Sequence, residues 1–218
     1  MKRIYAYSIS LVLLLSCNAL LAQDSIPAPR NIKIGFDLYG PIYYSYDRNN
    51  QSIEGWLSVD IDTGRSVVIE AGHLDYLYSQ YNYDYKNKGV FIRAGMDFNL
   101  LKPETAIGKY YAGIGLRYGL SIFRSQVPYL KYSNYWGTVS SSVPQNTYSA
   151  HFLEVTPGIR TELFRHVEIG WSVRLRFLVY SSTGKDLKAV YIPGFGNGTK
   201  VVSPGINYYI VFSIPYKK

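Results

Sequence analysis

The residue types that come closest to a catalytic arrangement are a serine, a histidine and a carboxylate in one short segment. Ser149, His151 and Glu154 could form a hydrolytic site, in which the histidine would act as the base that activates the serine. In an extended chain, however, side chains alternate between two faces, and Glu154 has the opposite parity from Ser149 and His151. Because the carboxylate would then point away from the histidine, the spacing predicts a polar rim at a strand end and no catalytic residue.

No other group of residues favours a metal site or a cofactor. His73 and Asp75 offer two metal ligands without a third, which does not complete a zinc site. The glycine-rich run from Gly194 to Gly198 lacks the strand-to-helix context of a phosphate-binding loop, and we expect a flexible outer loop there. The sequence therefore predicts no metal, no cofactor and no enzymatic activity.

The N-terminus has the three parts of a secretory signal peptide. A positively charged start is followed by an apolar stretch over residues 4–15 and by small or polar residues up to Ala22. This stretch is too short to cross a bilayer as a helix, which needs about 20 residues. We predict a signal peptide over residues 1–22, cleaved after Ala22. In an alternative interpretation Leu14 to Cys17 form a lipoprotein box, and Cys17, the single cysteine, is lipidated.

The composition indicates contact with a membrane surface. The formal net charge is +8, from 23 basic and 15 acidic side chains. In an exported protein this excess fits anionic lipid head groups, and we expect no nucleic-acid partner. The 23 tyrosines are more informative, because tyrosine collects where a surface is apolar on one side and wet on the other.

An apolar residue at every second position predicts eight β-strands. The predicted strands are Ile32–Tyr39, Ile53–Ile61, Val67–Tyr78, Val90–Asn99, Tyr110–Ile122, Leu153–Leu163, Val167–Phe177 and Ile206–Ile214. The apolar parity changes within the third strand, and we expect a β-bulge near Gly72 to restore one continuous face. Pro157 lies mid-strand, so its missing N–H should leave a gap in one ladder.

Short and long connections alternate strictly along the chain. Residues 63–65, 101–108 and 165–166 are short turns, and the longer polar segments between strands are residues 40–52, 79–88, 124–149 and 181–202. Such alternation is typical of an up-and-down barrel with tight periplasmic turns and long outer loops. An even strand number places both termini on the periplasmic side.

The two faces of the strands differ in chemistry. One is almost wholly aliphatic and aromatic, whereas the other is rich in glycine and carries both signs of charge. An eight-stranded lumen is only wide enough for side chains, so glycines and paired charges can fill it. Charges facing hydrocarbon would instead cost about 2–4 kcal/mol each at the midplane. The predicted structural charge network of the lumen consists of Arg93, Asp97, Arg117, Glu154, Arg160, Glu162, Arg174 and Arg176.

These observations predict an all-β fold, an eight-stranded antiparallel up-and-down transmembrane β-barrel in a bacterial outer membrane. The barrel domain would span residues 31–218, after a short N-terminal lead over residues 23–30. If the apolar face pointed inward instead, the chain would be a soluble periplasmic ligand-binding barrel.

Several short motifs of the chain resemble an uncharacterised family of predicted small outer-membrane β-barrels from Bacteroidota. The motifs are residues 34–38 (IGFDL), 93–99 (RAGMDFN), 115–119 (GLRYG), 170–174 (GWSVR) and 192–196 (IPGFG). The similarity covers most of the mature chain, while the OmpA, OmpX and OmpW barrels are similar in pattern only. This resemblance implies fold and location, and it carries over no catalytic residue because the family has no assigned activity.

Aromatic residues in the predicted outer loops form a candidate binding surface. It consists of Tyr81, Tyr83, Tyr85, Tyr132, Tyr135 and Trp136. Such rings stack on sugars or contact a protein partner, and they equally suit a girdle that meets lipopolysaccharide and outer-membrane lipid. The final strand, which closes on Tyr216, resembles in part the signal read by the outer-membrane insertion machinery. A lipid-modifying enzyme and a narrow anion-preferring channel stay open as alternatives to a structural or interaction role.

Overall fold

The computed structural model describes residues 30–62, 64–101, 109–183 and 188–217. The predicted signal peptide, its cleavage after Ala22 and the lipidation of Cys17 lie outside the described residues, as does nearly all of the predicted lead. Within these ranges no helix is long and apolar enough to cross a membrane.

The described chain is built mainly of β-strands. In chain order the elements are β1 (Arg30–Asp37), α1 (Tyr39–Tyr46), β2 (Asn50–Asp60), β3 (Arg65–Gln80), β4 (Tyr83–Asn99), β5 (Tyr110–Asn134), β6 (Gly137–Phe164), β7 (Val167–Ser181), β8 (Tyr191–Ile192), β9 (Gly196–Asn197) and β10 (Val202–Lys217). Strands β1 to β7 and β10 form one closed ring, in which β10 lies between β7 and β1. The short strands β8 and β9 pair with each other in the connection before β10.

Every neighbouring pair in the ring is antiparallel, and strands that follow one another along the chain lie side by side. The predicted eight-stranded up-and-down barrel is therefore confirmed. We call the end with the start of β1 and the end of β10 the terminal end, and the opposite end, which carries α1 and the β8–β9 connection, the loop end.

Alternation along the strands turns one set of side chains outward and the other into the lumen. In β7, for example, Glu168, Ser172 and Arg174 are buried, whereas Ile169 and Trp171 are exposed. We call the outward-facing set the apolar belt. It includes Ile34, Phe36, Ile53, Leu57, Val59, Val67, Ile69, Val90, Ile92, Ile114, Leu116, Tyr118, Ile122, Leu153, Ile159, Ile169, Trp171, Leu175, Phe177, Ile206, Tyr208, Phe212 and Ile214. The lumen thus holds the charged face predicted for it.

The predicted β-bulge near Gly72 is wrong. β3 pairs in continuous register with β2 and with β4 through Gly72, and its even-numbered residues from Ser66 to Tyr76 stay on the inner side. The apolar residue Leu74 is buried inside, as the charged residue Glu70 is. The apparent change of parity reflects a change in the chemistry of the lumen, which becomes apolar towards the loop end.

Two of the predicted long loops are strand. Residues 79–88 and 124–149 mostly continue the β3–β4 and β5–β6 hairpins, which turn near Tyr81 and Tyr135. β5 has 25 residues and β6 has 28, although about ten residues suffice for a tilted membrane crossing. The upper parts of these hairpins carry polar residues on both faces, so they lack the one-sided apolar pattern by which the strands were recognised.

Pro157 interrupts the β6–β7 ladder as predicted. The β6–β7 pairing runs to Val155↔Leu175 and resumes at Gly158↔Ser172. The two positions between them are unpaired, and the register on either side of this gap is the same. On its other side Pro157 stays opposite Ile114 of β5. The missing N–H therefore costs a local gap in one ladder without a shift of the strand.

Candidate functional site: the filled lumen

At mid-height the lumen is filled by interlocking ion pairs, which we call the charged layer. Its members are Glu54, Glu70, Arg93, Asp97, Arg117, Glu154, Arg174 and Arg176. Arg93 of β4 has no exposed surface and contacts three carboxylates, with nitrogen–oxygen distances of 2.5 Å to Glu54, 3.1 Å to Glu70 and 2.7 Å to Glu154. Because one guanidinium joins carboxylates from β2, β3 and β6, it links strands that are distant around the ring.

The other three arginines complete the charged layer. Arg117 lies 2.6 Å from Glu70 and 3.0 Å from Asp97, and Arg174 lies 2.6 Å from Glu54. Arg176 lies 2.9 Å from Glu154. Four arginines thus face four carboxylates, and the layer is neutral overall. Mutual pairing offsets the desolvation of these charges, and loss of one partner would leave a buried charge without compensation.

A smaller set of polar contacts closes the lumen towards the terminal end. Lys33 lies 3.2 Å from Asp60, and Arg160 lies 2.5 Å from Glu168. The Arg160 guanidinium also lies over the ring of Tyr111, 4.7 Å from its centroid. Between this set and the charged layer is a polar cavity of about 20 Å³, which has room for roughly one water molecule.

The structure places seven of the eight predicted lumen charges inside the barrel with partners of opposite sign. These are Arg93, Asp97, Arg117, Glu154, Arg160, Arg174 and Arg176. The prediction that Glu162 belongs to the charge network is wrong. This residue lies next to the β6–β7 turn and accepts a hydrogen bond from the His166 N–H at 3.2 Å. It has the inward parity, but among the described residues its carboxylate forms no ion pair with an arginine.

Sequence reasoning missed five charged residues of the lumen. They are Lys33, Glu54, Asp60, Glu70 and Glu168. Lys33, Glu54, Asp60 and Glu168 alternate with apolar neighbours in the sequence, so inward parity was the signal that could have identified them. Glu70 was hidden by the wrong interpretation of β3.

Above the charged layer the lumen is filled by the β8–β9 connection, residues 189–197, which we call the plug. Its residues Ala189, Ile192 and Phe195 are buried against wall residues of the upper barrel. The buried cluster consists of Phe123, Ala150, Phe152, Ala189, Ile192 and Phe195. The run from Gly194 to Gly198 was predicted to be a flexible outer loop. That prediction is wrong, because the plug packs its apolar side chains against the apolar upper lumen.

Polar contacts hold the plug in place. The Arg176 guanidinium, which pairs with Glu154, also donates a hydrogen bond to the Phe195 carbonyl at 3.0 Å. The side-chain amide of Asn87 donates to the Tyr191 carbonyl. Gly194 has φ +74° and lies against Phe91, so a side chain there would be both strained and in collision. The glycines of this run therefore allow the plug backbone to pack closely against its neighbours, and they do not indicate flexibility.

The predicted aromatic surface divides into an exposed and a buried part. Tyr81, Tyr132, Tyr135 and Trp136 are exposed near the hairpin tips. The prediction that Tyr85 lies on the outer binding surface is wrong. Tyr85 faces inward, is fully buried and stacks on the half-buried ring of Tyr83. These two rings continue through Tyr76 and Tyr78 to Tyr191 of the plug. Burial raises the pKa of Tyr191, so its ring stays neutral in this stack.

The serine, histidine and carboxylate considered first do not come together. His151 lies on the outer wall, where its Nδ1 is 2.6 Å from the Tyr118 hydroxyl and its ring packs near Tyr180. The Ser149 backbone pairs with Ser182, and Glu154 is inside the barrel with Arg93 and Arg176. In the described ranges no three His, Cys, Asp or Glu residues are placed to hold a metal ion.

Comparison with solved structures finds distant likenesses to three bacterial proteins. The attachment invasion locus protein Ail of Yersinia pestis has 12% identity and a TM-score of 0.42, over 86% of this chain and 99% of Ail. Neisserial surface protein A (NspA) has 12% identity and a TM-score of 0.40, over 86% of this chain and 96% of NspA. CarO of Acinetobacter baumannii has 11% identity and a TM-score of 0.41, over 89% of this chain and 100% of CarO. At these identities and scores no activity or ligand is carried over.

A search among functionally curated proteins finds no match to the chain. A family model, described as a domain of unknown function (DUF6048), matches residues 3–218, which is nearly the whole sequence. The described barrel, with its charged layer and its plug, lies within the matched residues. The chain therefore belongs to the DUF6048 family.

Proposed function

We propose that this protein is an exported, integral β-barrel of a bacterial outer membrane, of structural or interaction type, which seals its own lumen and displays two tall hairpins outside the cell. In this orientation the terminal end faces the periplasm and the loop end faces the exterior. The N-terminal 22 residues serve as a signal peptide, and the insertion machinery acts on the final strand, which ends near Tyr216.

The apolar belt is the observation that carries this proposal. It surrounds a closed ring whose interior is charged, which is the reverse of a soluble barrel. Exposed side chains such as Ile92, Leu116 and Leu153 would face hydrocarbon, and every barrel strand pairs on both sides, as a membrane requires. The outward-facing Tyr118, His151 and Tyr180 suit the aromatic girdle at the boundary with water.

The filled lumen supports a sealed barrel over the alternative of an anion-preferring channel. Each arginine that would line such a path is within 3.0 Å of a carboxylate oxygen. These residues are Arg93, Arg117, Arg160, Arg174 and Arg176. A carboxylate already occupies the place that a passing anion would take, and the plug covers the layer from above. We expect no ion conduction in a planar bilayer.

The hairpin tips support an interaction role. Tyr135 and Trp136 form an edge-to-face pair with a centroid separation of 5.3 Å, and Tyr81 lies beneath the ammonium group of Lys131. Exposed rings that keep their shape can stack on sugars or contact a protein partner with little loss of side-chain entropy. We therefore place the candidate ligand surface at these tips, with lipopolysaccharide and membrane lipid around the belt below.

The proposal is tested by fractionation of the native host, followed by gel electrophoresis of the protein with and without boiling. We expect an outer-membrane location, a band that changes mobility on heating, and a mature N-terminus at Gln23. A soluble periplasmic pool without a mobility shift would contradict the membrane assignment. Planar-bilayer recording of the refolded protein then separates a sealed barrel from a channel.

A further inference from the structure

Basic side chains gather on one side of the outer wall, just beyond the apolar belt at the loop end. Lys86 and Lys88 on β4 and Arg124 on β5 are exposed and face outward. We call these three residues the basic patch. Along β4 the outward positions run from Val90 of the belt to Lys88, and along β5 they run from Ile122 to Arg124. The basic patch therefore begins at the first outward position above the belt.

Two of these cations are direct neighbours across the ladder. Lys88 is the register partner of Arg124, so their Cβ atoms are about 5 Å apart, and like charges in that relation destabilise a sheet. Asp75 of β3 offsets part of this repulsion, because its carboxylate lies 2.9 Å from the Lys88 ammonium. Within the described ranges Lys86 and Arg124 have no carboxylate at ion-pair distance. The patch keeps an excess of positive charge that an external anion would relieve.

Four other strands do not share this feature. On β2, β6, β7 and β10 the described outward positions just above the belt carry no lysine or arginine. They are Gln51 on β2, His151, Ser149 and Thr147 on β6, Val179 on β7, and Pro204 and Val202 on β10. Thr147 lies opposite Arg124 and adds a hydroxyl beside the patch. Among the described positions on these four strands and on β4 and β5, the lysines and arginines just above the belt are thus confined to β4 and β5.

We propose that the basic patch binds the phosphorylated head group of an outer-leaflet lipid, whose acyl chains lie on the belt below Val90 and Ile122. This inference rests on the proposed membrane orientation. Arg124 and Lys88 are register partners, and Lys86 lies two residues further along β4. A guanidinium beside ammonium groups suits a phosphate ester, because arginine binds its oxygens in a bidentate manner and lysine adds point charges. A lipid satisfies both the charge above the boundary and the apolar wall beneath it.

The test measures binding of two lipid probes to the folded barrel in detergent micelles by native mass spectrometry. The probes are lipid A that carries its phosphates and the same lipid A after enzymatic removal of phosphate. The variant Lys88→Gln with Arg124→Gln removes two charges from the patch. The control, Lys188→Gln with Lys200→Gln, removes two charges from exposed positions on either side of the plug. Mobility on unheated gels checks that each variant is folded.

We expect the patch variant to bind phosphorylated lipid A at least about tenfold more weakly than the wild type, because it loses two charge-assisted contacts to the phosphate. The control variant should bind like the wild type, and dephosphorylated lipid A should bind weakly to all three proteins. Equal binding of phosphorylated lipid by the patch variant would overturn the inference, as would equal binding of both lipids by the wild type. Full competition by millimolar inorganic phosphate would also overturn it, because the site would then take a free anion. A chain that never yields a membrane barrel would instead refute the proposed function.

Discussion

The charged layer and the plug occupy one lumen, but they come from different parts of the chain and stabilise it differently. The charged layer is built from inward positions of six neighbouring barrel strands, β2 to β7, at the height of the apolar belt. The plug is a connection that folds back into the upper lumen and buries Ile192 and Phe195 among wall residues. Charges fill the region surrounded by the apolar belt, and apolar groups fill the region above it.

This difference indicates separate roles for the two layers. Buried ion pairs contribute little net stability, because desolvation offsets their attraction. They do fix the register, since a slip of one residue would turn Arg93 or Arg174 onto the apolar outer face. The plug has no such role. The buried side chains of Ile192 and Phe195 each contribute about 1.5–3 kcal/mol by leaving water, and this energy holds one connection in place.

The strongest test of the comparison removes the centre of the charged layer. Arg93→Met leaves Glu54, Glu70 and Glu154 with fewer partners, and we expect a loss of about 3–5 kcal/mol in the free energy of unfolding or a failure to fold. Urea titration in lipid vesicles, read by gel mobility, measures the loss. The matched control is Arg65→Met, because Arg65 pairs with Asp62 in an exposed turn. Equal urea midpoints for Arg93→Met and the control would show that the layer does not depend on its central arginine.

The second test releases the plug and leaves the charged layer intact. Phe195→Ala empties a fully buried site, at a cost of about 3–5 kcal/mol to the docked state. We expect trypsin to cleave the connection after Lys188 or Lys200 in proteoliposomes, while the heat-modifiable band persists and conductance stays absent. Val201→Ala, in the same connection but exposed, should resist trypsin like the wild type. Conductance in Phe195→Ala would mean that the plug, and not the charged layer, seals the barrel.

A smaller effect is expected where the wall meets the plug cluster. Gly119 of β5 lies against the ring of Phe152, so a methyl group there would collide with it. We predict that Gly119→Ala lowers the free energy of unfolding by about 1–3 kcal/mol through overpacking. Gly55→Ala is the control, since its added carbon would meet nothing closer than 3.5 Å. The difference between the two urea midpoints measures how tightly the upper lumen is packed.

The smallest effect is expected above both layers. Tyr135 is 93% exposed at its hairpin tip, and Tyr135→Ala should change the free energy of unfolding by less than about 0.5 kcal/mol. Tyr85→Ala provides the contrast, because Tyr85 is fully buried and its hydroxyl lies 3.5 Å from the Tyr191 carbonyl of the plug. A urea midpoint for Tyr135→Ala as low as that of Tyr85→Ala would place the tip within the folded core.

The same contrast explains what could be predicted from the sequence. In the charged layer each residue is tied to its strand by period two, so Arg93, Asp97 and Glu154 could be assigned to the lumen from parity alone. Partners could not be assigned, because the register around the ring depends on turn geometry and on closure. The plug gave no periodic signal, and its glycines resembled a flexible loop. Leu74 was misread because the interior was assumed to be polar at every height.

The spread of Arg93's partners around the ring constrains the order in which the barrel can assemble. The segment from β2 to β5 brings three carboxylates of the charged layer and two arginines, so a half-built wall carries excess negative charge. β6 adds the carboxylate of Glu154, and neutrality is reached when β7 delivers Arg174 and Arg176. Until then water must solvate the open inner face. If the barrel is inserted as proposed, we expect an intermediate of this kind to stay bound to the insertion machinery until ring closure releases it into lipid.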